Sequence, residues 1–468
     1  MSLKSTVKCS GICSECGKCK GANLLKDAHG RKTKLVTFPA DFKARSGQPG
    51  YGLAFDIGTT TVVAMLWDRN TGKELGAAAC TNPQNEFGAD VITRINYCDD
   101  DPQNLATIRS RILEGLNRLT DELTQKYGVD KEDIHQVTVG GNTTMSHIFA
   151  EYMPTSLARA PFSPMYTGTL HPDAAELGLG ISKDAEVTLL PNIAGHVGGD
   201  IVAGIVASRI LDEKQLTLFL DIGTNGELVL AGDGVAMTCS TAAGPAFEGA
   251  TIRNGMRAAP GAIEKIQIKE GEVFIKTVDD AEPVGICGSG IIDVIAEMLG
   301  AGLINAKGRL ASKEDLEKIH PGSPLAEHLI NTEEGREFIL VCKEDGQDIV
   351  VTQKDIREVQ LAKGAIAAGI SIMLKRMDKK VEDIHKIVIA GAFGNFIHKE
   401  SAVAIGLIPA LPMSKIVSAG NTAGAGVSMA LMNPAEMELA ISIPERVEHI
   451  ELASCSDFQD EYMKALAF

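Results

Sequence analysis

The 468-residue sequence has no run of eighteen apolar residues and no basic-then-apolar leader ahead of Cys9. The first absence argues against a membrane-spanning helix, and the second gives a secretory signal no support. Aromatic residues are scarce at 4%, but apolar residues reach 44%, enough for substantial cores. A chain of this length is expected to hold about three domains of ordinary size. A soluble, cytoplasmic protein is expected.

Positive charge is also in short supply, except at one end. Residues 1–50 carry ten Lys/Arg and three Asp/Glu, a balance of +7 against a total of −16, which leaves −23 for the remainder. A basic stretch can mark a nucleic-acid partner, but one aromatic-poor run beside a strongly acidic body is weak support for it. Its second half, DAHGRKTKLVTFPADFKARSGQPG, is polar, lacks periodicity and ends in Gly and Pro. That composition reads as a solvated linker over residues 21–50.

The ten cysteines are distributed unevenly. Four of them, Cys9, Cys13, Cys16 and Cys19, stand in CSGICSECGKC with the spacing C-x3-C-x2-C-x2-C. Disulfides are rare in a reducing compartment, where clustered cysteines more often bind metal or carry redox chemistry. Two successive C-x2-C steps are similar to bacterial-type 4Fe-4S loops more than to plant-type 2Fe-2S ones, with Zn²⁺ on four thiolates as the alternative. Cys80, Cys98, Cys239, Cys287, Cys342 and Cys455 are scattered, and each is expected to be a small buried hydrophobe.

From residue 51 the chain repeats itself. YGLAFDIGTTTVVAMLW is an apolar strand running through Asp56 into a Gly/Thr turn and a β-branched second strand. LTLFLDIGTNGELVLA, at 216–231, has the same order around Asp221, 165 residues later. At such a turn Gly58 or Gly223 lets the backbone approach an anion. Thr59, Thr60 and Thr224 offer hydroxyls and amides, and the aspartate can hold Mg²⁺ through water. One DxGT turn is as readily a plain tight hairpin; two at matched positions favour a triphosphate gripped from both sides. A third element, KIVIAGAFGNFI at 386–397, is a strand entering a turn of small residues against which a base or ribose can lie.

FDIGTTT, LDIGTNG and IAGAFGN together resemble the phosphate 1, phosphate 2 and adenosine motifs of the actin, sugar-kinase and heat-shock-chaperone ATPase superfamily. VGGNTTMSHIF, PNIAGHVGGD, STAAGPAFEGA and GICGSGIIDVIAEM are similar to segments of the ATP-dependent reductive activators of corrinoid proteins, which join an iron-sulfur module to such an ATPase. The resemblance implies an α/β fold of duplicated actin-like (ribonuclease H-like) domains, each with a mixed five-stranded sheet, enclosing ATP in the cleft between them. The expected division is a Cys-rich segment 1–20, a linker 21–50 and ATPase subdomains 51–200 and 201–468. Helical patterns over 105–128 and 355–377 fit the flanking layers.

The resemblance further implies roles for single residues. Asp56, Gly58, Thr59 and Thr60 form the first phosphate loop, and Asp221, Gly223, Thr224 and Asn225 the second, with Asp56 and Asp221 holding the water shell of Mg²⁺. Asp200 is the candidate for orienting water or accepting a proton, with a helix cap as the alternative; His196 is read as a cap or packing residue. Glu248 is expected near the ribose, and Gly391, Ala392, Phe393 and Gly394 against adenine. The family's larger N-terminal ferredoxin-like domain, and an intervening domain ahead of the ATPase, are expected to be missing.

The implied reaction is reduction of a corrinoid from cobalt(II) to cobalt(I). It needs free energy because the product is a strong reductant, and nucleotide state could supply it by changing the grip on the partner. Expected partners are a corrinoid protein or another low-potential metalloprotein and an electron donor, with neither nucleic acid nor membrane; homodimer formation stays open. A small-molecule kinase of the same superfamily and a nucleotide-dependent scaffold with a zinc knuckle are the alternatives.

Overall fold

The computed structural model describes residues 24–26, 32–34, 36–343, 346–394 and 396–468. Two sheets dominate. The first is built from β1 (Tyr51–Ile57), β2 (Thr61–Asp68), β3 (Lys73–Thr81), β4 (Ile134–Gly141) and β5 (Glu186–Leu189), in the order β3-β2-β1-β4-β5. The second uses β6 (Thr217–Ile222), β7 (Gly226–Gly232), β8 (Val235–Thr241), β9 (Lys386–Ala390) and β10 (Ile416–Gly420), in the equivalent order β8-β7-β6-β9-β10. In each, the first three strands are antiparallel neighbours and the last two join in parallel. The internal repeat in the sequence is therefore a repeat of topology. The second sheet has six strands rather than the expected five, because β11 (Glu448–His449) adds in parallel to the edge at β8.

Helices cover the faces. α1 (Gln103–Tyr127) buries Leu105, Ile108, Ile112, Leu116, Leu119 and Leu123, spaced three or four residues apart, against the first sheet. It stops at Gly128, whose φ of 67° makes the left-handed cap. α2 (Thr143–Phe149) follows β4 under an Asn142 cap, and α3 (Gly199–Ser208) follows β5. In the second half α4 (Gln353–Arg376) starts at a Thr352/Asp355 capping box, α5 (Thr422–Met432) follows β10, and α6 (Pro434–Arg446) completes the layer. Between β8 and α4 lie two small three-stranded sheets, Ala262–Lys269 with Glu272–Thr277 and Gly285–Ile286, and Leu329–Thr332 with Gly335–Val341 and Ile349–Thr352.

α3 and α5 cross in the core that joins the two halves. A Cβ on Gly426 would lie 1.9 Å from the Ala203 carbonyl oxygen, and one on Gly204 2.9 Å from the Phe219 ring, so the helices touch backbone to backbone. Small residues permit that approach, as the run TAGAG requires.

Two sequence readings need correction. Residues 36–50 are no free linker. Val36 is buried, Phe38 and Phe42 pack on Trp67 with ring centroids 5.5 and 6.4 Å away, and the Arg45 amide donates to the Met432 carbonyl at 2.8 Å. Three apolar anchors outweigh the polar composition around them. Further upstream, Leu24–Lys26 pairs antiparallel with Lys32–Lys34. Of the scattered cysteines only Cys98, Cys239 and Cys287 are buried; Cys80 and Cys455 are half-buried and Cys342 is exposed. Among the described residues no helix is long and apolar enough to cross a membrane.

Candidate functional site

The site forms where the two sheets present their hairpin turns. Asp56 is the penultimate residue of β1 and Asp221 the penultimate residue of β6, paired in parallel register with Gly140 and Ala390 respectively. Beyond each partner strand the chain turns sharply, at Gly141-Asn142 in one half and at Gly391, with φ 85°, in the other. A Cβ on Gly391 would stand 2.5 Å from Oδ1 of Asp221, so that turn lies directly on the aspartate.

The first turn is held from below. Gly58 leaves no room for a side chain, since its Cβ would meet the Thr61 carbonyl at 2.7 Å. The Gly58 carbonyl accepts from Asn82 Nδ2 at 2.8 Å, the Thr59 carbonyl from the buried Arg94 at 2.6 Å, and the Thr59 hydroxyl from Asn142 Nδ2 at 2.8 Å. In the second turn the Gly223 amide donates to the Asn225 carbonyl at 2.9 Å. A Cβ on Gly223 would meet nothing closer than that same oxygen at 3.8 Å. The fold therefore does not need a glycine there, whereas close approach of an anion would.

Glu248 ties the turns together. Its carboxylate accepts from the Thr60 hydroxyl at 3.5 Å and from the Thr224 hydroxyl through a short bond. It thus sits between the two Gly/Thr turns in this structure, on the threonines rather than on the turn at 391–394. Gly391 lies on Asp221 and a Cβ on Gly394 would meet Ile389 Cγ2 at 2.9 Å, whereas the side chains of Ala392 and Phe393 are outside the described set, and so are Cys9, Cys13, Cys16 and Cys19.

Between the turns lies a group of acids. Asp200 enters on the first turn of α3, where its Oδ1 accepts from the Ile201 amide at 2.8 Å. Burial and repulsion from Asp221 and Asp56 push it up to about 7, against the pull of the helix N-terminus. Asp221 rises to about 7 through burial and the charge of Asp56. Asp56 rises to about 6 by burial, offset by the amide of Asn421, which donates to its Oδ2 at 2.8 Å. Glu227, directly across the hairpin from Asp221, is raised well above the usual range by burial and by Asp200 and Asp221. Asp200 thus takes part in a helix start and also stands beside Asp221 and Asp56. His196 packs on Phe162 at 5.1 Å, in keeping with the packing role.

Crowded buried carboxylates repel one another, and a divalent cation relieves that repulsion. Among the described residues no three His, Cys, Asp or Glu side chains are arranged to ligate a metal directly. The gathered carboxylates of Asp56, Asp200, Asp221 and Glu227 are a donor set chemically suited to a hydrated cation.

Sequence reasoning missed Glu227, Asn421, Asn142, Asn82 and Arg94. Glu227 had a visible signal, a lone acid in an apolar strand opposite Asp221. Asn421 and Arg94 had none, because their partners lie 365 and 35 residues away.

The C-terminal domain of RACo, described as the ASKHA domain, matches residues 215–468, and the RACo middle region matches 51–213. The stretch read as a first ATPase subdomain is therefore what the family calls its middle region, so that the region preceding the C-terminal domain is present here. The chain is 37% identical over 425 residues to the corrinoid activation enzyme RamQ of Eubacterium limosum, covering 90% of this chain and 71% of that one. It is 25% identical over 452 residues to the [Co(II) methylated amine-specific corrinoid protein] reductase of Methanosarcina barkeri, covering 89% and 77%. A solved reductive activator for a corrinoid, iron-sulfur protein superposes with a TM-score of 0.77 at 37% identity, over 90% of this chain and 67% of that one. With its duplicated sheets meeting at two DIGT turns, the chain belongs to the RACo family of reductive activators of corrinoid proteins, built on the actin-like ATPase fold.

Proposed function

We propose that the chain binds and hydrolyses Mg-ATP between its two halves to drive reduction of a partner corrinoid protein from cobalt(II) to cobalt(I). The observation that carries this reading is Glu248 spanning Thr60 and Thr224, one hydroxyl from each phosphate turn, over a floor of buried carboxylates. Triphosphate entering there displaces Glu248 from the threonines, whose hydroxyls and amides then serve the phosphate oxygens. Asp56 and Asp221 would hold the water shell of Mg²⁺, which would supply charge neutralisation at the phosphates. Asp200 orients the attacking water and takes its proton.

The balance is one electron per cobalt, taken ultimately from an external donor; Cys9, Cys13, Cys16 and Cys19 would hold a cluster that could relay it. 4Fe-4S is the favoured form. ATP and water become ADP and phosphate, and the two nucleotide states grip the partner differently. A reducing cytoplasmic setting suits these thiols.

Asp221→Ala is expected to abolish Mg-ATP hydrolysis with the fold intact; unchanged turnover would remove Asp221 from the site. The full reaction is tested anaerobically with reductant, ATP and candidate corrinoid proteins, following cobalt(I) by absorbance. No ATP-dependent cobalt(I) from any of them, together with a phosphorylated small molecule, would favour a kinase instead.

A further inference from the structure

The two crossing helices each have one end at the nucleotide cleft. α3 carries Asp200 at its start, and α5 is capped by Asn421, whose amide holds Asp56. Their other ends, about 15 Å away along the helix axes, meet the arm formed by residues 36–50.

Arg209, the left-handed residue ending α3, binds both carboxylate oxygens of Glu436 at 2.5 Å, and its Nε lies 3.3 Å from Asp41 of the arm. At the end of α5 the Met432 carbonyl accepts from the Arg45 amide at 2.8 Å, and Asn433 Nδ2 donates to the Lys43 carbonyl at 3.2 Å. Phe38 and Phe42 complete the contact on Trp67. The same two rods that present Asp200 and Asn421 to the cleft thus form part of the seat of the arm.

Between those ends the helices have no slack. With Gly426 against the Ala203 carbonyl, one cannot slide or rotate without displacing the other. Tightly packed small-residue crossings of this sort pass between discrete arrangements rather than deforming continuously.

We propose that residues 36–50 act as a nucleotide-sensitive clasp, whose docking on the ends of α3 and α5 is linked to occupancy of the cleft at their starts. The inference rests on the nucleotide reading of that cleft. It supplies a route by which nucleotide state reaches the N-terminal cysteines, since the arm lies on the chain between them and the body. Linkage makes the effect reciprocal: whatever factor nucleotide changes arm docking by, loosening the arm changes nucleotide affinity by the same factor.

Trp67 is the sole tryptophan, is 3% exposed, and lies under Phe38 and Phe42, so release of the arm would open it to a quencher in solution. The test uses the full chain. Nucleotide binding is measured by calorimetry with Mg-ATP and Mg-ADP, and Trp67 accessibility by acrylamide quenching in the same titrations. The expected result is a saturable change in quenching with the calorimetric midpoint. Phe42→Ala, with Asp41→Asn as a gentler second variant, should shift the affinity for at least one nucleotide, about 5-fold or more for Phe42→Ala. Unchanged circular dichroism would show the body still folded. Normal binding with unaltered quenching, and wild-type affinity in both variants, would overturn the clasp and leave the nucleotide site standing. Absence of binding to wild-type protein would overturn both.

Discussion

Arg94 lies fully buried beneath the first phosphate turn, donating to the carbonyls of Thr59 at 2.6 Å and Gly88 at 2.9 Å. Burial lowers it to about 10, which still leaves it charged at neutral pH. Arg94→Met would leave those carbonyls without their donor, at roughly 1–3 kcal/mol for each unpaired group. Destabilisation of about 2–6 kcal/mol in urea unfolding, with weakened Mg-ATP binding, is the expected outcome. Wild-type affinity in a folded Arg94→Met protein would show that the turn needs no such brace. The acids make a different prediction. Asp200 and Asp221 titrate near 7 in the folded chain against an ordinary value of 3.8, so the folded state holds protons that the unfolded state has lost. Their stabilising contribution is complete below about pH 4 and disappears as pH rises through 7. The thermal midpoint of nucleotide-free protein should therefore fall between about pH 5 and about pH 8, and fall less in Asp200→Asn. Equal slopes would remove Asp200 from the repelling group. The two aspartates of the hairpins could be read from sequence because each closes a strand at a Gly/Thr turn. Arg94 could not, because a buried arginine and an exposed one look alike in a helix until the fold puts carbonyls around one of them.

At the scale of elements, the α3–α5 crossing depends on absent side chains. Gly426→Val puts branched carbons where even a Cβ would stand 1.9 Å from a backbone oxygen, so the helices must separate. A loss of about 3 kcal/mol or more is expected from such overpacking. Gly300→Ala, where nothing stands within 4 Å, is the matched control. It should be neutral or stabilising by up to about 1 kcal/mol, because alanine loses less backbone entropy in a helix. A similar urea midpoint for the two variants would mean the crossing tolerates separation. Periodicity located α1 and α4 to within two residues of their observed ends, since their apolar stripes and caps are local signals. It was silent on α5, all of whose residues are buried and which therefore has no polar face to mark its period.

For the whole molecule, the expectation concerns division of labour. Deleting residues 1–20 should leave Mg-ATP binding nearly untouched and end reductive activation, because the proposed function puts the nucleotide on residues 56–421 and the electron relay on the cysteines at 9, 13, 16 and 19. Full cobalt(I) formation by the truncated protein, with no better external donor, would show that the cysteines serve something else. The duplicated architecture itself was open to reading from one dimension, because an aspartate-glycine-threonine turn between apolar strands is a local pattern and its recurrence after 165 residues is visible by inspection. So were the family and the two Asp-Gly-Thr turns, for the same reason. The sequence by itself thus determined the two hairpins and the strand ahead of Gly391, where they turn and which aspartates stand at the hairpin turns. Only the tertiary structure decided that Glu248 spans both turns, that Glu227 and Asn421 join the acids, and that residues 36–50 are seated on the body. Those are contacts between residues distant along the chain, made when two sheets close on a pair of crossing helices, and no local preference of the backbone encodes them.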